Sequence, residues 1–441
     1  MVNVRENQER KEIPIEKKAF QFVKYINRVY RFQQFLKSLS DRRINPSIPK
    51  YEADAIIFSG LVAGMTSFNQ IEEKMGDGYF DNIIGRAVKR GSADTLGYVQ
   101  EHSSALEYRR YNNSIVRKAR YNKTYQGGTI DGFLTMALDG TELTRTESEQ
   151  RSCRLCKKTE HSFGDAKSVV QRHENFLGVS YVGKPPNLVV DIERVAPGEG
   201  ESTAALRLLD RLRFQQYYYA EVCALDSLYA SAPVINKLLE HNVIGVIRVK
   251  QEHYNLVKDA EGLFKNRPPD LNRKAVNIKS SWYESDTAGK KYRYNIKIWD
   301  EEGFTTWDKV KAPLRLLKVE ECKADNLGRP IEETQVRYII VTAGKDTILT
   351  ETVWRILHRR WDIENKTFHD LKKYWSFGHD FHHEENAFLV MRWMIVIAYN
   401  LFMLFFYRYL RFNLNHYTHK GLIFWMGCIL HIVEIPILDS S

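Results

Sequence analysis

The chain has 441 residues, which exceeds one ordinary domain, so we expect a core domain with appended or inserted units. Hydrophobic residues make up 43% and aromatic residues 12%, a composition that builds packed cores and excludes a disordered chain. The 65 basic and 55 acidic residues give a formal net charge of +10, which favours an acidic partner such as nucleic acid.

The cellular compartment is indicated by the cysteines, by the charged N-terminal segment and by one long apolar segment near the C-terminus. Five scattered cysteines, an odd number, argue against a disulfide framework and for a reducing compartment. The first 18 residues are charged and lack an apolar signal-peptide segment, so we expect no secretory signal. Residues 387–407 are apolar over the length of a membrane span, but Arg392 and Asn400 would be costly in lipid. We therefore expect a buried core helix, no membrane partner and a cytoplasmic protein.

Residues 1–125 are predicted to form an N-terminal helical domain that binds DNA. Apolar residues recur at helical spacing, and basic residues become frequent over residues 86–123. Tyr108, Tyr111 and Tyr121 lie among them. Positive side chains neutralise phosphates, and tyrosines stack on nucleic acid or hydrogen-bond to its backbone. The alternative interpretation is an ordinary solvated basic helix face.

Two apolar runs each end in an aspartate. Residues 133–138 precede Asp139, and residues 220–225 precede Asp226. Each run is typical of a buried strand, and open α/β sheets place their chemistry at the carboxyl ends of such strands. For either aspartate alone, a turn or a helix cap is an equally good explanation.

A patch of cysteines and histidines lies between the two aspartates. Cys153 and Cys156 form a Cys-x-x-Cys pair, and His161 and His173 follow. Two thiolates and two imidazoles can complete a tetrahedral zinc site, so we predict a structural zinc insertion over about residues 151–175. The alternatives are reduced cysteines beside unrelated histidines, or a redox-active cysteine pair.

Strand and helix patterns alternate from residue 126 to residue 250, as expected of the first part of an α/β catalytic core. The last of these strands ends at Lys250. Residues 251–333 are too many for one loop and contain alternating apolar and polar residues, so we predict a β-rich insertion. Residues 334–441 would then hold the second part of the core and the C-terminal helices.

Residues 358–375, with the sequence HRRWDIENKTFHDLKKYW, are predicted to form an amphipathic helix that carries Glu364. The apolar residues at helical spacing are Trp361, Phe368, Leu371 and Trp375. Arg360 lies four residues before Glu364, and a salt bridge on the helix surface is the simplest explanation of that pair.

Asp139, Asp226 and Glu364 together provide hard oxygen ligands, which suit Mg²⁺ or Mn²⁺ rather than zinc or copper. Two such ions held about 3.5–4 Å apart activate a nucleophile and stabilise the leaving oxygen in phosphoryl transfer. Chance placement can explain one acidic residue in such a position, but it is a far less probable explanation of all three. The set therefore predicts a metal-dependent active site.

The chain resembles the DDE transposases of bacterial insertion-sequence elements, in the group with a tyrosine–arginine–glutamate–lysine signature around the last acidic residue. The matching segments are ALDGTEL (137–143), ALDSLY (224–229) and RWDIENKTFHDLKKYW (360–375). Two positions depart from the signature. Leu357 stands where it has tyrosine, and Leu371 stands where it has lysine, with Lys372 and Lys373 directly after.

This resemblance implies an α/β fold with a ribonuclease H-like core, interrupted by the β-rich insertion and flanked by N-terminal and C-terminal helices. It implies DNA cleavage and strand transfer, with Asp139, Asp226 and Glu364 as catalytic residues that hold two Mg²⁺ or Mn²⁺ ions. The residues expected to contact DNA near the scissile phosphate are Arg360, Lys372, Lys373 and Lys250.

The resemblance also implies the partners. They are double-stranded DNA, both the element's terminal repeats and the target, and a second copy of the chain in a synaptic homodimer. The protein would be associated with a prokaryotic nucleoid. Two alternatives remain open: a nuclease of the same fold that cuts without joining, and a domesticated DNA-binding protein without catalytic activity.

Overall fold

The computed structural model describes the chain in nine segments, which are residues 15–146, 157–161, 169–212, 214–250, 255–277, 293–325, 327–410, 418–430 and 437–438. The chain divides into two compact units. The first combines residues 1–111 with 374–441, and the second comprises residues 112–373.

The N-terminal part of the first unit is helical, which confirms the helical prediction for this region. Its helices are α1 (Ile15–Tyr30), α2 (Phe32–Ser38), α3 (Lys50–Val62), α4 (Phe68–Gly76), α5 (Asp81–Ile84) and α6 (Ala93–Glu101), and α7 (Ala105–Tyr121) crosses the unit boundary. Helix α3 is buried on nearly every side, and its charged residues Lys50 and Asp54 are buried as a pair with Nζ and Oδ2 3.1 Å apart.

Two of the three tyrosines predicted to contact DNA belong to the core of the first unit. The Tyr108 hydroxyl donates to Asp54 Oδ2 at 2.8 Å, and the Tyr111 hydroxyl donates to the Tyr30 carbonyl oxygen at 3.0 Å. Both tyrosines are buried, so DNA cannot reach them, and that part of the prediction is wrong. Tyr121 differs, because 81% of it is exposed.

The second unit contains a mixed sheet, whose strands within the described residues are β1 (Thr135–Thr146), β2 (Lys157–His161), β3 (Val169–Tyr181), β4 (Val189–Arg194), β5 (Val222–Leu225), β6 (Ile244–Val249), β7 (Leu271–Asn277), β8 (Arg293–Phe304), β9 (Leu314–Ala324) and β10 (Gln335–Val341). Strands β1, β5 and β6 are parallel neighbours, and β3 pairs antiparallel with both β1 and β4. The resulting order β4-β3-β1-β5-β6 is that of a ribonuclease H-like core, so the predicted fold class is confirmed.

The strands of the predicted insertion extend the core sheet. Strand β10 pairs antiparallel with β6, and β9, β8 and β7 follow outward in that order. This part also contains a helix, α11 (Asn255–Phe264), which packs near β8. The sequence pattern predicted a β-rich insertion, but neither strand β7 nor the continuation of the core sheet through these strands.

Among the described residues between β4 and the insertion, the α-helices are α8 (Glu201–Leu212), α9 (Phe214–Tyr217) and α10 (Ala232–Glu240). Helix α8 packs against β4, and α10 packs against β6. Their apolar faces, such as Leu208 and Leu238, are fully buried. The burial of these faces on the sheet keeps the carboxyl ends of β5 and β6 in fixed positions.

The helical segment that carries Glu364 begins earlier than predicted. It consists of α12 (Thr350–Arg359), a π-helical turn (Ile363–Phe368) and α13 (His369–Tyr374). The backbone forms a turn at Arg360 and Trp361, so the helix is not regular over residues 358–375. Phe368 and Leu371 are buried, whereas Trp361, at the irregular turn before the π-helical segment, is only half-buried.

The C-terminal helices are α14 (Glu385–Leu404), which continues as a π-helical turn (Phe405–Tyr409), and α15 (His419–Ile429). They pack with α1, α3 and α6 in the first unit, whereas the sequence pattern had grouped them with the second part of the core.

One helix among the described residues, Glu385–Tyr409, is long and apolar enough to span a membrane, and 94% of its most apolar window is buried in the protein. Arg392 of this helix, whose charge would be costly to bury alone, is paired, because its Nη2 lies 3.1 Å from Asp380 Oδ1. Arg392 Nη1 also donates to the His379 carbonyl oxygen at 2.8 Å. These contacts favour the predicted core helix over a membrane span.

A buried polar cluster joins the extended sheet to α12. Glu321 on β9 accepts hydrogen bonds from the Trp354 indole and from Arg337, and its Oε1 lies 2.7 Å from His358 Nε2. Burial raises the pKa of Glu321, but the charge and hydrogen bond of His358 and the charge of Arg337 outweigh burial and lower the pKa to about 2.

This cluster predicts a loss of stability in acid. A carboxylate whose pKa is lower in the folded state stabilises the protein above its unfolded pKa, and this contribution is lost as pH falls through the folded pKa. From about 4.5 unfolded to about 2 folded, Glu321 should lose about 2 kcal/mol between pH 5 and pH 3. Urea unfolding of the wild type and of Glu321→Gln at both pH values measures the difference. Equal losses in the two proteins would contradict the assignment.

Candidate active site

The two predicted aspartates lie side by side at one edge of the sheet. Strands β1 and β5 pair in parallel up to Leu138 and Leu225, so Asp139 and Asp226 are the next residues on neighbouring strands. Strand β1 continues beyond Asp139 because it forms a hairpin with β3, in which Asp139 pairs with Gly178. The structure therefore brings the two aspartates together as the strand pattern predicted.

Glu364 reaches the same edge from the π-helical turn. This turn contacts both β1 and β3. Phe368 packs on Gly178, where an added β-carbon would lie 2.7 Å from Phe368 Cε1. The absence of a side chain at Gly178 thus lets the helical segment approach the strand directly beside Asp139. π-Helical turns of this kind often occur at functional sites.

Arg360 connects two of the three carboxylates. Its Nη1 donates to Asp139 Oδ2 at 2.7 Å and to Glu364 Oε1 at 3.2 Å. The salt bridge to Glu364 is the one predicted from the spacing. The Arg360 side chain is only 4% exposed and does not project into solvent.

The Asp139 and Glu364 carboxyl groups lie close enough to affect each other's ionisation. Burial and the neighbouring Glu364 carboxyl group raise the pKa of Asp139 to about 7, although the Arg360 charge opposes the increase. Two carboxylates that are close and partly desolvated repel each other, so a positive charge between them is stabilising. Arg360 supplies that charge in this structure.

Asp226 lies in a different environment. Its Oδ1 is buried and has no hydrogen-bond partner among the described residues, and the nearest positive group is Arg248 Nη1 at 4.0 Å. A buried carboxylate oxygen without a donor is costly. Arg248 lies on β6, two residues before Lys250, and the sequence pattern did not single it out.

Two further residues near the triad were also missed as site residues. The Tyr229 hydroxyl donates to Glu201 Oε2 at 2.9 Å, and the Glu201 carboxylate lies where a side chain on Gly140 would be. Burial and the charges of Glu201, Asp139 and Asp226 raise the pKa of Tyr229. Nothing in the spacing along the chain could have placed Glu201 beside residue 140.

The triad fits hard divalent cations by its chemistry. All three groups are carboxylates, Asp139 has a raised pKa and Asp226 has an unpartnered oxygen, and a cation would relieve both penalties. Within the part of the chain that the structure describes, no three Asp, Glu, His or Cys side chains already form a metal-binding group. Arg360 stands between Asp139 and Glu364 in this arrangement.

The predicted DNA-contacting lysines occupy two places. Lys250 directly follows β6, and Lys372 and Lys373 lie on α13; all three are exposed. Partial desolvation lowers the pKa of Lys372, and the Glu142 carboxylate opposes that effect. Lys250 and Lys372 are therefore surface residues, one at the end of β6 and the other on α13.

Two of the four predicted zinc residues lie outside the described part of the chain. Cys153 and Cys156 lie among residues that the structure does not describe. The backbone of His161 pairs with Val169, and His173 pairs with Lys157 in the same β2–β3 hairpin. The zinc site therefore remains a prediction.

The family model of the transposase DDE domain matches residues 135–401, a region that contains Asp139, Asp226 and Glu364. No curated protein matches the chain. Because the match covers more than half of the 441 residues, the chain belongs to the transposase DDE domain family. This family acts on DNA and uses divalent metal ions.

Proposed function

We propose that this member of the transposase DDE domain family cleaves DNA at the ends of an insertion-sequence element and transfers the cut strands to a target. The observation that carries the proposal is the convergence of Asp139, Asp226 and Glu364 at one sheet edge, within the family match. Three different elements deliver these carboxylates, so their convergence is a property of the fold.

The proposed roles follow from the positions of the side chains. Asp139, Asp226 and Glu364 would hold two Mg²⁺ or Mn²⁺ ions, which when bound supply an activated nucleophile and charge stabilisation at the leaving oxygen. The parallel pairing of β1 and β5 fixes the two aspartates relative to each other. The packing of Phe368 on Gly178 sets the distance of Glu364 from them.

We propose that Lys250, Lys372 and Lys373 contact the phosphate backbone on either side of the scissile bond. Their exposure at the sheet edge and on α13 supports this role. Arg360 would act differently, because its guanidinium group pairs with two carboxylates. It would orient Asp139 and Glu364 in the free protein and reach the scissile phosphate only after DNA and metal weaken that pairing.

The experiment that tests the function uses a supercoiled plasmid carrying the element's ends, incubated with Mg²⁺, with Ca²⁺ or without metal. A second substrate has pre-cut ends with free 3′-hydroxyl groups. Mg²⁺-dependent nicking at the ends and insertion of the pre-cut ends into a target plasmid are expected. Nicking without insertion would indicate a nuclease, and specific binding without nicking would indicate a non-catalytic DNA-binding protein.

The position of Glu364 gives a prediction at Gly178. Alanine there would place its β-carbon 2.7 Å from Phe368, so the helical segment must shift. We expect a loss of about 1–3 kcal/mol in unfolding free energy and a cleavage rate reduced by roughly 10²-fold. The matched control is Gly262→Ala on α11, where an added β-carbon meets no atom within 4 Å.

Partial recovery in the double variant Gly178→Ala, Phe368→Leu would link the loss to this contact. A Gly178→Ala enzyme with wild-type stability and cleavage would contradict the proposed packing role. Unfolding in urea and the plasmid nicking assay provide the two measurements.

We also propose a structural zinc site formed by Cys153, Cys156 and His173. His161, predicted as a further ligand, lies four residues along β2 from the position opposite His173, on the order of 13 Å away, so it is not expected to bind the same ion. Thiolate and imidazole are the ligands that zinc prefers. Metal analysis of the purified protein should give one zinc per chain, and Cys153→Ser with Cys156→Ser should remove it. A wild-type protein without bound zinc after purification in zinc-containing medium would rule the site out.

We propose that the active form is a homodimer that pairs two element ends in the prokaryotic cytoplasm, bound to the nucleoid. The family's action on DNA supports the DNA partner, and the net charge of +10 supports attraction to it. Sedimentation of the protein with and without end DNA measures the assembly.

A further inference from the structure

A groove in the second unit combines positive charge with exposed aromatic rings. It encloses about 750 Å³ between the last turns of α7, the residues that follow α7, and the segment after α9. The residues of this α7 groove that carry the argument are Arg117, Arg120, Tyr121, Lys123, Tyr217 and Tyr218. None of them has a role in the triad described above.

The side chains of the groove are already arranged by cation–π and hydrogen-bond contacts. The Arg117 guanidinium lies 4.7 Å from the centre of the Tyr217 ring, and Arg120 Nη1 donates to the Tyr217 carbonyl oxygen at 2.8 Å. The acidic residue of the lining, Glu221, is directed at the backbone, where it accepts from the Leu134 amide at 2.7 Å. The groove therefore presents a net positive charge to a ligand.

Two aromatic rings stand in solvent at this groove. Tyr121 is 81% exposed and Tyr218 is 70% exposed. Tyr218 also has a φ of 47°, a left-handed conformation that is strained for a bulky L-residue. A strained backbone that holds an apolar ring in water is unfavourable without a ligand, and such strain is concentrated at functional sites.

The groove lies at the opposite end of the core strands from the triad. Leu134 and Glu221 line it, and they directly precede β1 and β5, whereas Asp139 and Asp226 follow the paired stretch of these strands. Five residues of extended chain span on the order of 15 Å. A ligand in the groove would therefore not be at the scissile phosphate.

We infer that the α7 groove binds a short unpaired stretch of DNA, at a point separate from the cleavage site. Bases would stack on Tyr121 and Tyr218, and phosphates would pair with Arg117 and Lys123. The inference rests on the proposed function in so far as DNA is the substrate. It adds a second contact region for strands that are not base-paired.

The size and chemistry of the groove favour unpaired nucleotides over duplex. A cavity of this volume lies within the range of small-molecule sites, so it accommodates one or a few nucleotides and not a segment of double helix. In a duplex the base faces are stacked on one another and unavailable to tyrosine rings. Exposed rings beside arginines are the pattern used for single-stranded nucleic acid.

The test measures binding of the full-length protein to a fluorescein-labelled 12-nucleotide oligo(dT) and to a 12-base-pair duplex, both without divalent metal. We expect Tyr121→Ala with Tyr218→Ala to weaken oligo(dT) binding at least tenfold and to leave duplex binding within twofold. Tyr121→Phe with Tyr218→Phe keeps the rings and should retain the affinity. Tyr98→Ala removes an exposed tyrosine from the first unit and should have no effect.

The other outcomes separate the alternatives. Unchanged oligo(dT) binding by the alanine variant, with folding confirmed by thermal unfolding, would overturn the inference. Equal losses for oligo(dT) and duplex would also overturn it, because they would indicate an ordinary backbone site. Since neither measurement requires cleavage, a protein that fails to nick plasmids can still bind unpaired DNA in the groove, and the two proposals fail independently.

Discussion

Replacing Glu364 with glutamine is expected to lower the rate of Mg²⁺-dependent cleavage by at least about 10³-fold, because a neutral amide does not balance the charge of a divalent cation as a carboxylate ligand does. Charge stabilisation by bound metal contributes several kcal/mol to such reactions, and each 1.36 kcal/mol corresponds to a factor of ten. Asp139→Asn and Asp226→Asn should have losses of the same order. The plasmid nicking assay measures all three.

The substitutions are chosen to preserve shape, so loss of activity can be separated from loss of folding. Glu364 is half-exposed on its turn, and its partner Arg360 keeps the contact with Asp139 when Glu364 becomes neutral. We therefore expect thermal unfolding within a few degrees of the wild type. Metal binding to the folded protein, measured by calorimetry with Mn²⁺, should weaken in each variant.

The matched control is Glu351→Gln on α12. Glu351 pairs with Arg273 at 2.7 Å and with Arg355 at 2.5 Å, and both pairs lie at the surface. Its substitution should leave cleavage unchanged. Wild-type cleavage by any of the three triad variants would remove that residue from the active site.

Replacing Asp300 with alanine is expected to reduce the unfolding free energy by about 3–5 kcal/mol, because it leaves Arg315 buried without its counter-charge. Arg315 donates from Nε to Asp300 Oδ1 at 2.8 Å and from Nη2 to Asp300 Oδ2 at 2.6 Å, and both side chains are buried. Thr350 Oγ1 also donates to Asp300 Oδ2, at 2.7 Å. The pair thus connects β8 and β9 to the start of α12.

A double variant shows whether the stability lost in Asp300→Ala comes from losing the ion pair itself or from leaving the Arg315 charge uncompensated. Asp300→Leu with Arg315→Met leaves no buried charge, so it should recover much of the stability that Asp300→Ala loses. Arg273→Met removes a surface partner of Glu351 and should cost less than about 1 kcal/mol. Urea unfolding followed by tryptophan fluorescence measures these differences. A cost below 1 kcal/mol for Asp300→Ala would show that the pair does not stabilise the sheet.

Much of the candidate site could be predicted because its residues stand in strongly patterned segments. The apolar runs before Asp139 and Asp226 are typical of buried strands, and parallel strands place the residues that follow them at one edge. Glu364 could be added through its motif. The helical N-terminal region and the β-rich character of the insertion were likewise apparent from local periodicity.

Other features could not be predicted because they depend on which distant groups become neighbours. Arg360 was expected to contact DNA or form a surface salt bridge, but burial against Asp139 directs its guanidinium between two carboxylates. Tyr108 and Tyr111 share a helix with basic residues, yet the packing of the first unit buries them. Their periodicity alone does not tell which helix face will be covered.

By itself, the sequence determined the α/β class of this protein, the order of its three acidic residues and the family that they indicate, because these depend on local pattern and short motifs. Only the tertiary structure decided that the insertion continues the core sheet, that Gly178 admits Phe368 beside Asp139, and that Tyr218 stands strained beside a basic groove. These features arise from packing and charge compensation between residues far apart in the chain, and local sequence carries no record of such neighbours.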